Sequence, residues 1–311
     1  MELFLNIVYF FAGLAALYFG ADFLVKGGVD IAKRLGISSL VIGLTLVACA
    51  TSAPELAVSL SSALQGNSDI AMGNAVGSNI ANIGLILGVC ACILPLNVDK
   101  QLLKLDAPLM VLSAILLTVL YFTSGGLNRI HGAVLLAIII IYNIYIIRKS
   151  RKNSETETEK TPCRYPLYLA IIIVIASLGV LVGGAKIFLL SAVYFAKMLN
   201  LSDAVIGLTV VAVGTSLPEL ATSVVATCKG EKDIAIGNVV GSNIFNILSI
   251  LGVTALIKPM NNSSLSGVDF GMMTGISGAL LVMLFTGRKL SRIEGAILLL
   301  AYIIYTIYLC R

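Results

Sequence analysis

The 311-residue chain is 58% hydrophobic and 12% charged, with a mean hydropathy of +1.00 and a formal net charge of +5. Polar residues this sparse cannot face water around so much apolar material, which excludes a soluble globular domain. In such a chain the excess of Lys and Arg speaks to orientation in a bilayer rather than to nucleic acid.

Windows of about 20 apolar residues, the length that crosses a bilayer, fall near 3–25, 39–64, 70–94, 106–123, 130–147, 167–190, 204–227, 234–257, 267–286 and 292–310. They predict an all-α integral membrane protein with ten transmembrane helices. The first window is too long for a signal-peptide core and has no basic residue before it, so it reads as a retained span. Between the fifth and sixth windows runs RKSRKNSETETEKTPCR, polar and charged throughout, which reads as a linker over 148–165 between halves at 1–147 and 166–311. The six cysteines, Cys49, Cys90, Cys92, Cys163, Cys228 and Cys310, lie mostly within spans without metal-ligand spacing and read as small apolar fillers. His131, the sole histidine, falls at a span end and reads as an interfacial polar residue.

Ten crossings also sort the basic residues. The loops and flanks after odd-numbered spans hold 16 of the 21 Lys and Arg, among them Lys26, Lys33, Arg34, Lys100, Lys104 and Lys229. The other side holds only Arg129, Lys186, Lys197, Lys258 and Arg311. The positive-inside rule then puts the linker in the cytoplasm and both termini outside, as expected for a multi-pass protein of the cell membrane.

The two halves repeat each other. VIGLTLVACATSAPELAVS at 41–59 returns as VIGLTVVAVGTSLPELATS at 205–223, and DIAMGNAVGSNIANIGLILG at 69–88 returns as DIAIGNVVGSNIFNILSILG at 233–252. Segments 41–88 and 205–252 share 30 of 48 residues without a gap, at a constant offset of 164. Five spans separate equivalent points, an odd number, so the copies must lie in opposite orientations. Inverted repeats of this kind are the architecture of secondary transporters, whose substrate sits at the midplane between the copies.

Of the 16 acidic residues, Asp22, Asp30, Asp106, Asp269 and the others are expected at span ends or in loops, leaving Glu55 and Glu219 deep in spans. These two are repeat mates. A charged side chain at mid-bilayer costs at least about 2.5–3.5 kcal/mol, and no Lys or Arg lies at that depth to compensate it. The expected counter-charge is a bound cation, and two carboxylates balance one divalent ion. Pro54 and Pro218 stand beside them and free backbone oxygens one turn earlier. Thr51, Ser52 and Glu55 share a helical face, as do Thr215, Ser216 and Glu219. In the following helices Asn74, Ser78 and Asn82, and Asn238, Ser242 and Asn246, recur at i, i+4, i+8 and can face the carboxylates. Oxygen donors without a soft ligand suit Ca²⁺. Gly73, Gly77, Gly237 and Gly241 read as close helix packing, and Asn79 and Asn243 as orienting hydrogen-bond partners.

ATSAPE and GTSLPE, each followed by GN(A/V)VGSNI(A/F)N, resemble the two α-repeats of the cation/calcium antiporter superfamily, nearest to compact prokaryotic sodium/calcium exchangers. The resemblance covers essentially the whole chain. It implies no enzymatic activity and no cofactor, but Ca²⁺ and Na⁺ as transported ions in a lipid bilayer, with no obligatory protein partner. It further implies Glu55 and Glu219 as shared ion ligands, Thr51, Thr215, Ser52, Ser216, Ser78 and Ser242 as hydroxyl ligands, carbonyls of Ala48 and Ala212, and Asn82 and Asn246 completing the ring. The first and sixth spans would slide across the core as a gate, and three Na⁺ would exchange for one Ca²⁺. Two departures stand out: Ala50 replaces the usual glycine, present as Gly214 in the other copy, and Asn82 and Asn246 are both neutral, which argues against potassium dependence. Other classes fit less well. An intramembrane protease would need a Ser–Lys/His pair or two catalytic aspartates in spans. A channel could use a glutamate ring but has no need of inverted repeats with prolines beside the acids. A Ca²⁺/H⁺ antiporter of the same superfamily is the nearest alternative.

Overall fold

The computed structural model describes residues 1–154, 164–199, 212–261 and 265–309. Most of the expected linker with Cys163, residues 204–211 opening the seventh expected span, and Cys310 and Arg311 lie outside the described residues. The helices are α1 (Glu2–Leu35), α2 (Ser39–Thr51), α3 (Ala53–Leu64), α4 (Ser68–Ile93), α5 (Leu102–Ser124), α6 (Arg129–Ser154) and α7 (Leu167–Met198), then α8 (Leu217–Cys228), α9 (Lys232–Ile257), α10 (Gly267–Gly287) and α11 (Arg292–Leu309). Among the described residues, eight helices are long and apolar enough to cross a membrane, and α2 and α3, bent by 45°, make up to a ninth crossing. In the described part of the seventh expected window, a helical turn at Ala212–Gly214 precedes α8.

Several helices outrun their hydropathy windows, α6 among them, which reaches Ser154 where its window stops at 147. α1 continues past residue 25 to Leu35, taking Lys26, Lys33 and Arg34 into the helix, and α7 continues past residue 190 to Met198. Hydropathy marks where the lipid-facing apolar surface stops, whereas a helix stops where its carbonyls find caps. For α1 that point is Gly36, at φ 62°, whose N–H closes on Ala32 and Lys33.

Burial orders the bundle. α4 and α9 form its centre, 72% buried over their apolar windows, against 17% for α1 and α11. The long helices α1 and α7 lie against each other through small residues: a Cβ on Gly13 would sit 2.7 Å from the Phe188 backbone, and one on Gly184 2.7 Å from Ala16 Cβ. At the centre, α2 meets α9 through Gly43, Gly237 and Gly241, and a Cβ on Gly241 would fall 2.6 Å from the Leu44 carbonyl oxygen.

Four expected end-of-span acids prove to be buried, and each is compensated. Asp22, on α1, pairs with Lys26 at 2.7 Å and with Lys229 beyond α8. Asp30 accepts the backbone N–H groups of Arg164 and Tyr165 at 3.1 and 3.0 Å. Asp106 accepts the Tyr142 hydroxyl at 2.9 Å, and Asp269 accepts that of Tyr305 at 2.7 Å. The sequence pattern shows where a span ends but not whether that end is covered by protein.

Among the described residues, four two-residue strands link the halves: β1 (Leu96–Asn97) pairs antiparallel with β4 (Lys289–Leu290), and β2 (Gly126–Leu127) with β3 (Met260–Asn261). Leu96 faces Leu290, and Met260 faces Leu127. Exchanging the halves carries Leu96 to Met260 and Leu290 to Leu127, so it turns one ribbon into the other. His131 lies at the start of α6, where its Nδ1 accepts the Asn128 N–H at 3.4 Å. Of the described cysteines Cys90 is buried, Cys92 intermediate, and Cys49 and Cys228 exposed; all four are free.

Candidate cation-binding site

The site begins where two helices break. α2 ends at Thr51 and α3 starts at Ala53, with Ser52 between them at φ −83°, ψ 7°. In the other half Ser216 adopts φ −87°, ψ 9° before α8. Pro54 and Pro218 occupy the first turn of the new helix, where a missing N–H leaves no bond unmade. Glu55 and Glu219 follow, still in that first turn, where the helix dipole favours a carboxylate. Each is 1% exposed. Among the described residues neither has an ion-pair partner.

The hydrogen bonds cross between the halves. Ser52 Oγ donates to Glu219 Oε1 at 3.0 Å, and Ser216 Oγ reaches Glu55 Oε1 at 3.2 Å and Ser78 Oγ at 3.3 Å. Thr51 Oγ1 lies 3.1 Å from Asn238 Oδ1, and Thr215 Oγ1 lies 3.5 Å from Asn74 Oδ1. Thr51 Oγ1 is also 3.4 Å from the Ala48 carbonyl, which accepts the Ser52 N–H at 3.0 Å. Ala212 holds the equivalent place, opening the turn before Ser216.

Asn82 and Asn246 each open a stretch of wider π-helix, Asn82–Leu87 in α4 and Asn246–Ile250 in α9, a distortion frequent at functional sites. Their amide nitrogens donate, at 3.0 Å each, to Asn243 Oδ1 and Asn79 Oδ1. Asn79 and Asn243 in turn donate to each other's backbone oxygens at 3.3 and 3.4 Å. Asn79 and Asn243 therefore orient, and the oxygens of Asn82 and Asn246 are turned free.

What remains is a set of buried oxygens without a partner: Glu55 Oε2, Glu219 Oε2, Asn82 Oδ1, Asn246 Oδ1 and Ser242 Oγ. Leaving such groups unpaired away from water costs about 1–3 kcal/mol each, more for a charge. All five can accept, and a hard cation satisfies acceptors together while neutralising the carboxylates. Asn74 and Asn238, expected to face the carboxylates, instead turn their amide oxygens to Thr215 and Thr51. Their i, i+4, i+8 spacing put them on the right face, but the threonine each meets comes from the opposite half. Gly237 and Gly241 pack closely on α2 as expected, whereas among the described residues a Cβ on Gly73 would meet only Leu265, at 3.9 Å, and one on Gly77 nothing within 4 Å.

Two buried carboxylates ringed by neutral oxygens, within a bundle of membrane-crossing helices, make a multi-pass membrane protein with a cluster of buried acceptors that a cation can fill. Comparison with known proteins narrows that class. The family model described as sodium/calcium exchanger protein matches residues 5–148 and 169–311. The putative antiporter CaxA of Alkalimonas amylolytica is 39% identical over 308 residues, 96% of either chain. The sodium/calcium exchanger MaX1 of Methanosarcina acetivorans is 35% identical over 343 residues, 98% of either chain. The structure of the sodium-calcium exchanger NCX_Mj soaked with Na⁺ and Ca²⁺ superposes with a TM-score of 0.84 at 34% identity, over 97% of this chain and 98% of that one. The chain belongs to the sodium/calcium exchanger family of membrane antiporters.

Proposed function

We propose that this chain exchanges Ca²⁺ for Na⁺ across the cell membrane by alternating access. Its ligands are the carboxylates of Glu55 and Glu219, the hydroxyls of Thr51, Thr215, Ser52, Ser216, Ser78 and Ser242, the amide oxygens of Asn82 and Asn246, and the carbonyls of Ala48 and Ala212. The framework is ten spans in two inverted five-helix repeats, 1–147 and 166–311, with both termini outside and the linker at 148–165 in the cytoplasm. The exchange of one β-ribbon for the other on swapping halves supports that arrangement.

The observation that carries the reading is the set of unpartnered buried acceptors, both outer glutamate oxygens among them. With Ca²⁺ bound, the two carboxylates balance its charge. When Ca²⁺ leaves, Na⁺ ions share the same carboxylates and spread over the neutral oxygens, so the site is filled by one ion species or the other and crosses the membrane compensated. Competition of this kind is what couples the two fluxes. Calorimetric Ca²⁺ titration of the purified protein tests it: added Na⁺ should raise the apparent Kd without changing the number of Ca²⁺ sites, and Glu55→Gln should abolish the heat. Ca²⁺ binding indifferent to Na⁺ would refute it.

A further inference from the structure

Asn74 and Asn238 are held in one orientation by groups whose hydrogen-bonding sense is fixed. Asn238 Nδ2 lies 3.4 Å from the Glu219 carbonyl oxygen and 2.9 Å from Ser223 Oγ. A carbonyl can only accept, so the amide nitrogen must be on that side and Oδ1 on the other, toward Thr51. An amide oxygen also only accepts, so Thr51 is the donor in the 3.1 Å contact. The second half repeats the sequence of constraints: Asn74 Nδ2 donates to the Glu55 carbonyl at 3.1 Å and to Ser59 Oγ at 2.9 Å, leaving Oδ1 for Thr215.

A hydroxyl has a single hydrogen. Once Thr51 commits it to Asn238 at 3.1 Å, its lone pairs are left for an ion, and the Ala48 carbonyl at 3.4 Å is the longer and weaker of its two acceptors. A helical threonine without an outside acceptor bonds the carbonyl three or four residues back. That would occupy two ligand oxygens at once. We infer that Asn74 and Asn238 are positioning residues, each locking a threonine hydroxyl of the opposite half as an acceptor for Na⁺ and thereby setting Na⁺ affinity. The inference rests on the Na⁺/Ca²⁺ exchange reading. Na⁺ is the ion affected because neutral oxygens contribute a larger share of its binding than of that of a divalent ion held by two carboxylates.

The test is a double-mutant cycle in proteoliposomes, reading the internal Na⁺ and external Ca²⁺ concentrations that give half-maximal Ca²⁺ uptake. Asn238→Ala should raise the Na⁺ value about tenfold, the worth of one hydrogen-bonded ligand, and move the Ca²⁺ value less than about threefold. In a Thr51→Val background, Asn238→Ala should change the Na⁺ value no further, because the hydroxyl it positions is gone. A parallel rise of both values, or a full additional effect on Thr51→Val, would overturn the inference and leave Asn238 a packing residue. If Asn238→Ala does not fold, Asn74→Ala with Thr215→Val carries the same test, since Asn74 is only partly buried. A wild-type protein without Na⁺-driven uptake would instead sink the exchange reading itself.

Discussion

Ser52 and Glu219, 167 residues apart in sequence, are joined by a 3.0 Å hydrogen bond at the centre of the bundle. Ser216 and Glu55 repeat the relationship at 3.2 Å. Each carboxylate is thus held by the hydroxyl at the helix break of the opposite half, so neither half carries a complete site. The bonds leave one oxygen of each glutamate unpartnered.

Neutralising either glutamate should abolish Ca²⁺-dependent transport. Glu55→Gln and Glu219→Gln each remove half of the charge that balances Ca²⁺, yet relieve a burial cost of at least about 2.5–3.5 kcal/mol. The variants should therefore accumulate in the membrane and elute as single species from size-exclusion chromatography, with Ca²⁺ uptake at background. Exchange at a near wild-type rate by either would contradict its place as a ligand.

The serine bonds should matter less than the carboxylates but measurably. Ser52→Ala removes a hydrogen bond to a charged group, worth about 1.5–3 kcal/mol, and leaves Glu219 Oε1 as well as Oε2 without a protein partner. Ca²⁺ affinity measured by calorimetry should fall between about tenfold and a hundredfold. Ser216→Ala should cost at least as much, because Ser216 also reaches Ser78.

Much of this was legible in the chain because charge is rare in apolar spans and because the pattern occurs twice. Glu55 and Glu219 stood out as acids without basic neighbours, and Pro54 and Pro218 marked the breaks. Facing relationships were not legible. Hydropathy treats protein-facing and lipid-facing surface alike, so Asp22, Asp106 and Asp269 read as end-of-span residues although each is covered and compensated. Asn238 and Thr51 share a bond across 187 positions, and no local spacing predicts such a partner.

Close approach of α2 and α9 should be intolerant of a single methyl group. A Cβ on Gly241 would lie 2.6 Å from the Leu44 carbonyl oxygen and 2.8 Å from Ala48 Cβ, so Gly241→Ala forces apart the helices that bring Ala48 and Thr51 to the site. A loss of about 1–3 kcal/mol is expected, with a lower detergent melting temperature and reduced transport. Gly275→Ala, on α10 with no described atom within 4 Å of the new Cβ, should leave both unchanged.

The proposed orientation makes a labelling prediction. In a background lacking the native cysteines, Lys289→Cys, in β4 of the β1–β4 ribbon, should react with an impermeant maleimide only from the cytoplasmic side, and Ser124→Cys, before β2, only from outside. Labelling of both from one side would break the inverted arrangement.

Coupling to Na⁺ is the central claim, and flux measures it most directly. Purified protein in proteoliposomes should take up radioactive Ca²⁺ when the vesicles contain Na⁺, with the membrane potential clamped by potassium and valinomycin. Three Na⁺ leaving for one Ca²⁺ entering carries one net positive charge outward, worth about 2.3 kcal/mol per 100 mV, so an inside-positive potential should accelerate uptake. Uptake driven by an outward proton gradient and indifferent to internal Na⁺ would contradict the account and identify a Ca²⁺/H⁺ antiporter.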